Sequence, residues 1–269
     1  MFDGCHELVR FYCDLSSIED SNRMFYGLEK LNTFYSNLSS LTNSTEMFYD
    51  CISLKVFDAK MDVLKTADKM FYNCSSLTCF YNDLSECISA TETFLGCKSL
   101  KRIKSKMQKL ENGDDMFTSC VSLESFESDL SSMTSATDIF SGCLNLKLFS
   151  ADMPLLENGD NMFSTCVNLT DFRSNLSGLT SANRMFSTCA ELTNFEANMS
   201  SLLNGDGMFR GLQKLEKFKG DITTMTSAME MFSGCKSLNA VEGTMMRIAD
   251  GTRMFYKCSS LTDFTPYLT

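Results

Sequence analysis

The 269-residue sequence has no tryptophan, one histidine and two prolines. With His6 as the single imidazole, a catalytic triad or a histidine-rich zinc site has too few candidate residues. The Gly-rich phosphate-binding motifs and the H-E-x-x-H zinc motif are absent as well, and the cysteines show no C-x-x-C spacing. These absences predict a protein that is not an enzyme and that holds no metal or other cofactor.

The sequence also lacks any long hydrophobic run. No apolar stretch reaches about 18 residues, so no transmembrane helix is predicted. The first residues do not form the basic and then apolar pattern of a signal peptide. The net charge of −10 disfavours nucleic acids and anionic membranes as general partners, because both would be repelled. We therefore expect neither membrane insertion nor nucleic-acid binding.

What the sequence does contain is one pattern that recurs every 23 residues from end to end. We number each repeat from its first residue, usually Met, as position 1, and call the twelve repeats coils 1 to 12, coil 1 covering residues 1–23. Position 2 is Phe and position 8 is Leu in all twelve, and position 11 is Phe in ten. A fixed period in this range is typical of solenoids, in which each repeat stacks on the one before. We therefore expect residues 1–269 to form a single solenoid domain, part of a longer array.

Two segments of each repeat indicate secondary structure. The stretch A-x-x-M-F-x-x-C places apolar residues at i, i+3, i+4 and i+7, which predicts a helix of about two turns. The stretch S-L-x-x-F-x-S-D-L predicts a short strand, and neighbouring strands would pair in parallel at about 4.8 Å. The expected fold class is therefore α/β: a solenoid of twelve 23-residue coils, each with a short parallel strand and a short helix.

Ten of the thirteen cysteines occupy position 5, from Cys5 to Cys258. A ladder of disulfides is one interpretation, because a coil spacing near 4.8 Å does not forbid the bond. Leu28 and Leu212 fill the two remaining position-5 sites, however, and leucine can neither oxidise nor bind a metal. We therefore predict that these cysteines are buried core residues with free thiols.

The order L-x-x-F, L-x-x-L and A-x-x-M-F-x-x-C-x-x-L resembles the BspA-like, or Treponema-type, leucine-rich repeat, which also has a 23-residue unit. The likeness covers all twelve repeats, although the I-P step that follows the strand in that family is missing here. The resemblance implies a leucine-rich-repeat solenoid. It also implies a surface-exposed role in adhesion and protein binding in host-associated bacteria and some protozoa.

The outward positions of the predicted strand are the candidate binding surface, because extended faces of solenoids commonly bind partners. Position 12 varies in every chemical sense, unlike a core position, and is Tyr in three of the first four coils. A basic cluster follows in coil 5, against the negative charge of the chain. Tyrosine suits an interface anchor, and the cations would select an acidic partner. The predicted binding residues are Tyr12, Tyr35, Tyr81, Lys101, Arg102, Lys104, Lys106 and Arg173.

The function expected from these features is a non-enzymatic, adhesin-like module that binds a protein of a host or neighbouring cell surface. Its expected location is the cell surface or the secreted fraction, as the family resemblance implies. Two alternatives stay open. The same tyrosines could bind a glycan, which would make the chain a carbohydrate-binding module, or reduced thiols could indicate a cytosolic leucine-rich-repeat scaffold or effector.

Overall fold

The computed structural model describes residues 1–2 and 4–266, and this part of the chain contains twelve short strands and no helix. The strands follow the 23-residue period, one in each coil. Their bounds are β1 Arg10–Tyr12, β2 Thr33–Asn37, β3 Val56–Lys60, β4 Cys79–Phe80, β5 Arg102–Ile103, β6 Ser125–Glu127, β7 Leu148–Ser150, β8 Asp171–Arg173, β9 Asn194–Asn198, β10 Lys217–Asp221, β11 Ala240–Thr244 and β12 Asp263–Pro266.

All strand pairs are parallel and join residues one repeat apart, so that Phe11 lies beside Phe34 and Phe218 beside Val241. The predicted stacking of coils is therefore confirmed. The strand side is not one continuous sheet, because the pairs form four separate groups: β1-β2-β3, β4-β5, β6-β7-β8 and β9-β10-β11-β12. We call this side of the solenoid the strand side.

A second ladder runs along the opposite part of each coil without interruption. Position 20 forms ten consecutive parallel bridges, from Asp20 in coil 1 to Asp250 in coil 11. The residues after it continue the same contact, because backbone N–H groups at positions 21, 23, 2 and 4 donate to the next coil. For example, the N–H groups of Ser44 and Glu46 in coil 2 and of Phe48 in coil 3 donate to the carbonyls of Thr66, Asp68 and Met70 at 2.8–3.0 Å. We call this the turn side.

The predicted helix in each coil is wrong, and with it the α/β class: the structure is a parallel β-solenoid. A helix needs an unbroken run of right-handed backbone, yet position 4 has positive φ in every coil, and so does position 23 wherever a coil reaches it. Around these residues the chain makes tight turns, each closed by a bond from a backbone N–H to the carbonyl three residues earlier; we call them three-residue turns. An example is the bond from the N–H of Cys51 to the carbonyl of Phe48 at 3.0 Å. The apolar spacing reflects these turns, because three-residue turns and a helix both bring i and i+3 to one side.

The interior is built from rows of identical side chains that run the length of the solenoid. The position-2 phenylalanines stack from Phe2 to Phe255 with successive ring centroids 4.8–5.6 Å apart. Position-11 phenylalanines meet them edge to face, as Phe34 meets Phe48 at 4.8 Å. Such geometry suits the ring quadrupole and adds to the hydrophobic burial of each ring. The core predicted from positions 2, 8 and 11 is therefore present.

The position-5 cysteines have a more specific role than filling space. All thirteen cysteines are free, and the thiol of Cys74 donates to the carbonyl of Phe48 in the preceding coil at 3.1 Å. That carbonyl also accepts the N–H of Cys51, so the thiol satisfies its second lone pair. The same bond, at 3.0–3.2 Å, is made by Cys51, Cys97, Cys120, Cys143, Cys166, Cys189, Cys235 and Cys258.

A rhythm of two coils is superimposed on the single repeat. Asp114 at position 22 accepts the N–H of Thr137, one coil later, at 2.8 Å and the hydroxyl of Ser135 at 2.7 Å. Asp68, Asp160 and Asp206 make the equivalent bonds in coils 3, 7 and 9. The alternation therefore ties coils together in pairs and is a device of the fold.

The absence of helices from the described residues affects the shape of the strand side. In helical leucine-rich repeats, helices of about 10 Å diameter stand opposite strands about 4.8 Å apart, and this mismatch bends the array. Here both sides are joined by parallel backbone ladders, and the two Phe rows have similar spacing, with neighbouring ring centroids 5.2–6.2 Å apart at position 11 and 4.8–5.6 Å apart at position 2. We infer that the strand side is nearly flat, with a slight outward curve.

Candidate interaction surface

The outward positions of each strand are 10, 12 and 14, because the buried residues at 11 and 15 alternate with them. Tyr12, Tyr35 and Tyr81 lie on this face as predicted, with 63%, 39% and 59% of their surface exposed. Tyr12 and Tyr35 stack on each other with centroids 5.3 Å apart and an interplanar angle of 11°. The structure therefore joins two of the three predicted anchors and places Tyr81 two coils further on, beyond Asp58.

The stacking decides which part of the tyrosine rings a partner can touch. Because Tyr12 and Tyr35 stack on each other, one face of each ring is covered by the other ring. The ring edges, the hydroxyl groups and the second face of each ring remain for contact with a partner.

The predicted basic residues of coil 5 share one exposed row. Arg102, Lys104 and Lys106 occupy positions 10, 12 and 14, and Lys101 precedes them at position 9. Strand β5 ends at Ile103, but Arg102, Lys104 and Lys106 are all exposed. Lys106 Nζ lies 3.8 Å from Asp83 Oδ2 in coil 4, an exposed contact. The sequence-predicted cluster is therefore a line of cations that crosses the solenoid.

The tyrosine and basic groups meet at coils 4 to 6. Tyr81 and Lys104 line two adjoining depressions in the strand side, one of which also includes Arg102, Ser125 and Glu127. Coil 5, residues 93–115, carries six Lys or Arg and three Asp or Glu, a net charge of +3 on a chain of net −10. This region combines an exposed aromatic side chain with the strongest local charge reversal, which makes it the best candidate for partner contact.

Arg173 does not belong to this group. It lies three coils away on β8, and its guanidinium is held by Asp171 through two bonds, Nε–Oδ1 3.0 Å and Nη2–Oδ2 2.9 Å. The hydrogen bonds and the charge of Asp171 raise the pKa of Arg173 above its usual value. Because the carboxylate neutralises it, this arginine offers a partner a neutral pair rather than a cation.

A second aromatic row, not predicted from the sequence, lies on the turn side. Tyr26, Tyr49 and Tyr72, all at position 3, stack with centroids 4.9 and 4.3 Å apart, and the Arg23 guanidinium lies 4.1 Å over the Tyr26 ring. Burial and the neighbouring Tyr72 raise the pKa of Tyr49 to about 12. The recurrence of Tyr at position 3 in three successive coils was the available signal.

No group of three or more His, Cys, Asp or Glu side chains in the described part of the chain is arranged to hold a metal ion. The described residues form no helix, and therefore none that is long and apolar enough to span a membrane. Burial raises the pKa of the core thiols, that of Cys51 to about 12, so they are poor nucleophiles at neutral pH.

Comparison with known proteins identifies the repeat. The family model described as BspA type leucine rich repeat region matches six copies, over residues 1–87, 85–193 and 179–267. A search of curated proteins finds none that matches this sequence.

Solved structures resemble this chain at low identity, and the first of them supports the solenoid fold. A leucine-rich repeat protein from Bacteroides ovatus is 18% identical with a TM-score of 0.52; the alignment covers 96% of this chain and 64% of that one. A leucine rich cell surface protein from Faecalibacterium prausnitzii is 16% identical with a TM-score of 0.41 and coverages of 89% and 80%. The T. pallidum leucine-rich repeat protein is 19% identical with a TM-score of 0.33 and coverages of 74% and 72%. The chain thus spans 64% of the length of the Bacteroides protein.

Proposed function

Because this chain belongs to the BspA-type leucine-rich repeat family, whose fold is typical of protein-interaction modules, we propose that it binds a protein through the strand side of coils 1 to 6. The proposed role is adhesin-like and non-enzymatic, with the partner on a host or neighbouring cell and the chain at the cell surface or secreted. The observation that carries the proposal is the concentration of exposed tyrosine and cationic side chains on one face of an otherwise acidic, uniform array.

The mechanism follows from the flatness and repetition of that face. Tyr12, Tyr35 and Tyr81 contribute amphipathic contact area at small conformational cost, with hydroxyl groups available for hydrogen bonds. Arg102 and Lys104 select for acidic groups and accelerate encounter with them. Contacts spread over several coils add up, so each coil needs to contribute only modestly.

A carbohydrate ligand is less well supported. Sugar rings pack against exposed aromatic faces, whereas Tyr12 and Tyr35 each use one ring face to stack on the other. Tyr81 is flanked by Asp58 and Lys104 on position 12, so it could supply only one isolated platform. The geometry of the tyrosines therefore favours a protein partner.

The test compares variants of the two ends of the solenoid. The wild-type chain, the variant Tyr12→Ser/Tyr35→Ser/Tyr81→Ser and the control variant Tyr256→Ser, which removes an exposed tyrosine of coil 12, serve as baits for surface-protein extracts. We expect only the triple variant to lose the captured proteins. We also expect the wild-type chain to capture less at about 0.5 M salt, where the Debye length is roughly 4 Å. Equal capture by all three baits would refute the strand-side assignment.

A second bait experiment separates protein from glycan. Glycan-array binding that survives high salt and is lost in the tyrosine variant would favour the carbohydrate-binding alternative. Fractionation of the producing cells would test location, since a chain recovered with cytosolic markers would support the scaffold alternative, for which the free thiols are the supporting observation.

A further inference from the structure

Coils 5 and 6 carry opposite charges at matching repeat positions. Coil 5 is positive, whereas coil 6, residues 116–138, has four Asp or Glu and no Lys or Arg. On the strand side and at its entry, three of the four cations of coil 5 have an acid at the same position of coil 6, whereas Arg102 at position 10 corresponds to Ser125. The matched positions are 9, 12 and 14, occupied by Lys101 and Glu124, Lys104 and Glu127, and Lys106 and Asp129.

These two rows do not pair with each other in the monomer. In the described part of the chain, Lys101 and Lys104 form no ion pair, and Lys106 contacts Asp83 on the other side of coil 5. Strands β5 and β6 are not hydrogen-bonded, since the sheet is interrupted between them. Where neighbouring strands are hydrogen-bonded, a Lys and a Glu at position 12 of adjacent coils do form an ion pair: Lys219 Nζ of β10 lies 2.6 Å from Glu196 Oε1 of β9.

A two-fold axis brings the two rows together between molecules. Consider an axis that is parallel to the strands and lies above the strand side, between coils 5 and 6. Rotation by 180° about it places the strand side of the second copy against that of the first, and the strands of both copies run in the same direction. Coil 5 of each copy then faces coil 6 of the second copy, with position 12 opposite 12 and position 14 opposite 14. Lys104 meets Glu127 of the second copy, Lys106 meets Asp129, and both contacts occur twice.

We propose that the chain self-associates as a two-fold dimer through the strand side of coils 4 to 7, with these rows in contact. The proposal rests on the proposed function of that side as an interaction surface and names a second copy as one of its partners. A flat face permits such an encounter, which two concave faces would prevent at their centres. Isologous dimers are also the commonest closed assembly, because one self-complementary patch is used twice.

The surrounding positions are compatible with this arrangement. The symmetry places Tyr81 opposite Ser150, which leaves the exposed ring room to pack. It also places Asp83 opposite Asp152, a like-charge pair, but Lys106 lies 3.8 Å from Asp83 and offsets that charge. The dimer is therefore expected to depend on charge and to be sensitive to salt.

The experiment uses charge reversal on each row. Sedimentation velocity is measured for the wild-type chain, for Lys101→Glu/Lys104→Glu, for Glu124→Lys/Glu127→Lys and for an equimolar mixture of the two variants. Lys106 and Asp129 are left intact because each has a bond within its own chain, Lys106 to Asp83 and Asp129 to the N–H of Ser131. Circular dichroism confirms that both variants keep the fold.

The expected results are specific. The wild-type chain associates to twice its 30.2 kDa mass at low salt and dissociates at about 0.5 M salt. Each variant alone weakens the dimer by at least about tenfold, because like charges then face each other, and the mixture restores it as a heterodimer.

Other outcomes overturn the proposal. A wild-type chain that stays monomeric at low salt, or two variants that dimerise as well as the wild type, would exclude this interface. If the monomer instead binds soluble poly-glutamate and Lys101→Glu/Lys104→Glu does not, the basic row serves a foreign acidic partner. In either case capture of a surface protein through the tyrosines would still be possible, so the proposed function is tested separately.

Discussion

The two sides of each coil follow different rules. The turn side repeats without a break: its position-20 ladder crosses ten coil boundaries, and positions 4 and 23 keep positive φ throughout. The strand side has strands of two to five residues in four separate sheets, and its outward residues change from coil to coil. This difference shows where the fold is specified and where the surface is free to vary.

The physical basis is the number of constraints on each residue. A turn-side residue must adopt one backbone conformation, donate to the next coil and fill a fixed space between two identical neighbours, as Cys120 does with its thiol to Phe94 at 3.1 Å. An outward strand residue such as Lys104 needs only to be compatible with a strand. Stability therefore concentrates on the turn side, and recognition on the strand side.

The thiol row gives the largest expected effect. Burial raises the pKa of Cys74, Cys120, Cys143 and Cys189 well above the ordinary value, so the folded chain keeps these thiols protonated. The unfolded chain releases these protons above about pH 8.5. The contribution of the thiols to the free energy of unfolding is therefore fully present below that pH and is lost as the pH rises above it. We expect each buried thiol to remove about 1.4 kcal/mol per pH unit from the free energy of unfolding.

Urea unfolding between about pH 7.5 and 9.5 in the presence of reductant measures this fall, which approaches the full slope toward the upper end, before most Tyr and Lys side chains titrate. The control variant Cys120→Leu copies the residue found at Leu28 and Leu212 and should reduce the slope by one thiol's share. A free energy of unfolding that stays constant over this interval would show that the row is not buried as described.

Core truncation compares the two sides directly. Phe117→Ala on the turn side should cost about 3–5 kcal/mol, because a large buried ring is replaced by a cavity. Phe126→Ala on the strand side should cost slightly less, because Phe126 has a parallel ring neighbour only at Phe149 and meets Phe117 and Phe140 obliquely, whereas Phe117 has parallel neighbours on both sides, Phe94 and Phe140. Chemical denaturation of both variants gives the difference, and a larger loss at Phe126 would reverse the ranking of the two sides.

Much of this architecture could be predicted from the sequence because the period is exact to the residue. Rows of Phe2-type and Leu8-type residues identify the core, and the free position-5 thiols follow from the leucines that replace them. The helix prediction failed because two successive three-residue turns give the same apolar spacing as a helix. Evidence against a helix was present at position 4, which is Gly in several coils, Asp50 in coil 3 and Asn73 in coil 4. These are the residue types that best tolerate left-handed backbone.

The candidate surface could be predicted only in part. Variation at position 12 located the outward row, and composition located the basic coil. Sequence alone did not show that Arg173 is neutralised by Asp171, or that Tyr12 and Tyr35 stack on each other. Those properties depend on distances between side chains on one face, and the flatness of the face depends on the missing helices.

Position 4 offers a test of the turn-side backbone at intermediate magnitude. Gly142 has φ 73° and Thr188 has φ 63°, so both adopt the same left-handed conformation. Glycine is the residue best suited to this conformation, and the β-branched threonine is among the least suited. Gly142→Thr should lower the free energy of unfolding by about 1–2 kcal/mol, because a β-branched residue is strained there. Thr188→Gly should raise it by about 0.5–1 kcal/mol, less than the reverse change because glycine loses more entropy on folding. Stabilisation by Gly142→Thr would be incompatible with the described turn.

The smallest effects separate the two tyrosine rows. Tyr49 on the turn side is half-buried and stacks on two neighbours, at 4.9 and 4.3 Å, so Tyr49→Ser should cost about 1 kcal/mol or more. Tyr81 on the strand side is 59% exposed and stacks on no other tyrosine among the described residues, so Tyr81→Ser should change stability by less than about 0.5 kcal/mol. Thermal and urea unfolding of the two variants measure both values. If Tyr81→Ser proved as costly as Tyr49→Ser, that tyrosine would belong to the fold, and the separation of a structural side from a recognition side would fail at the residue on which the proposed surface most depends.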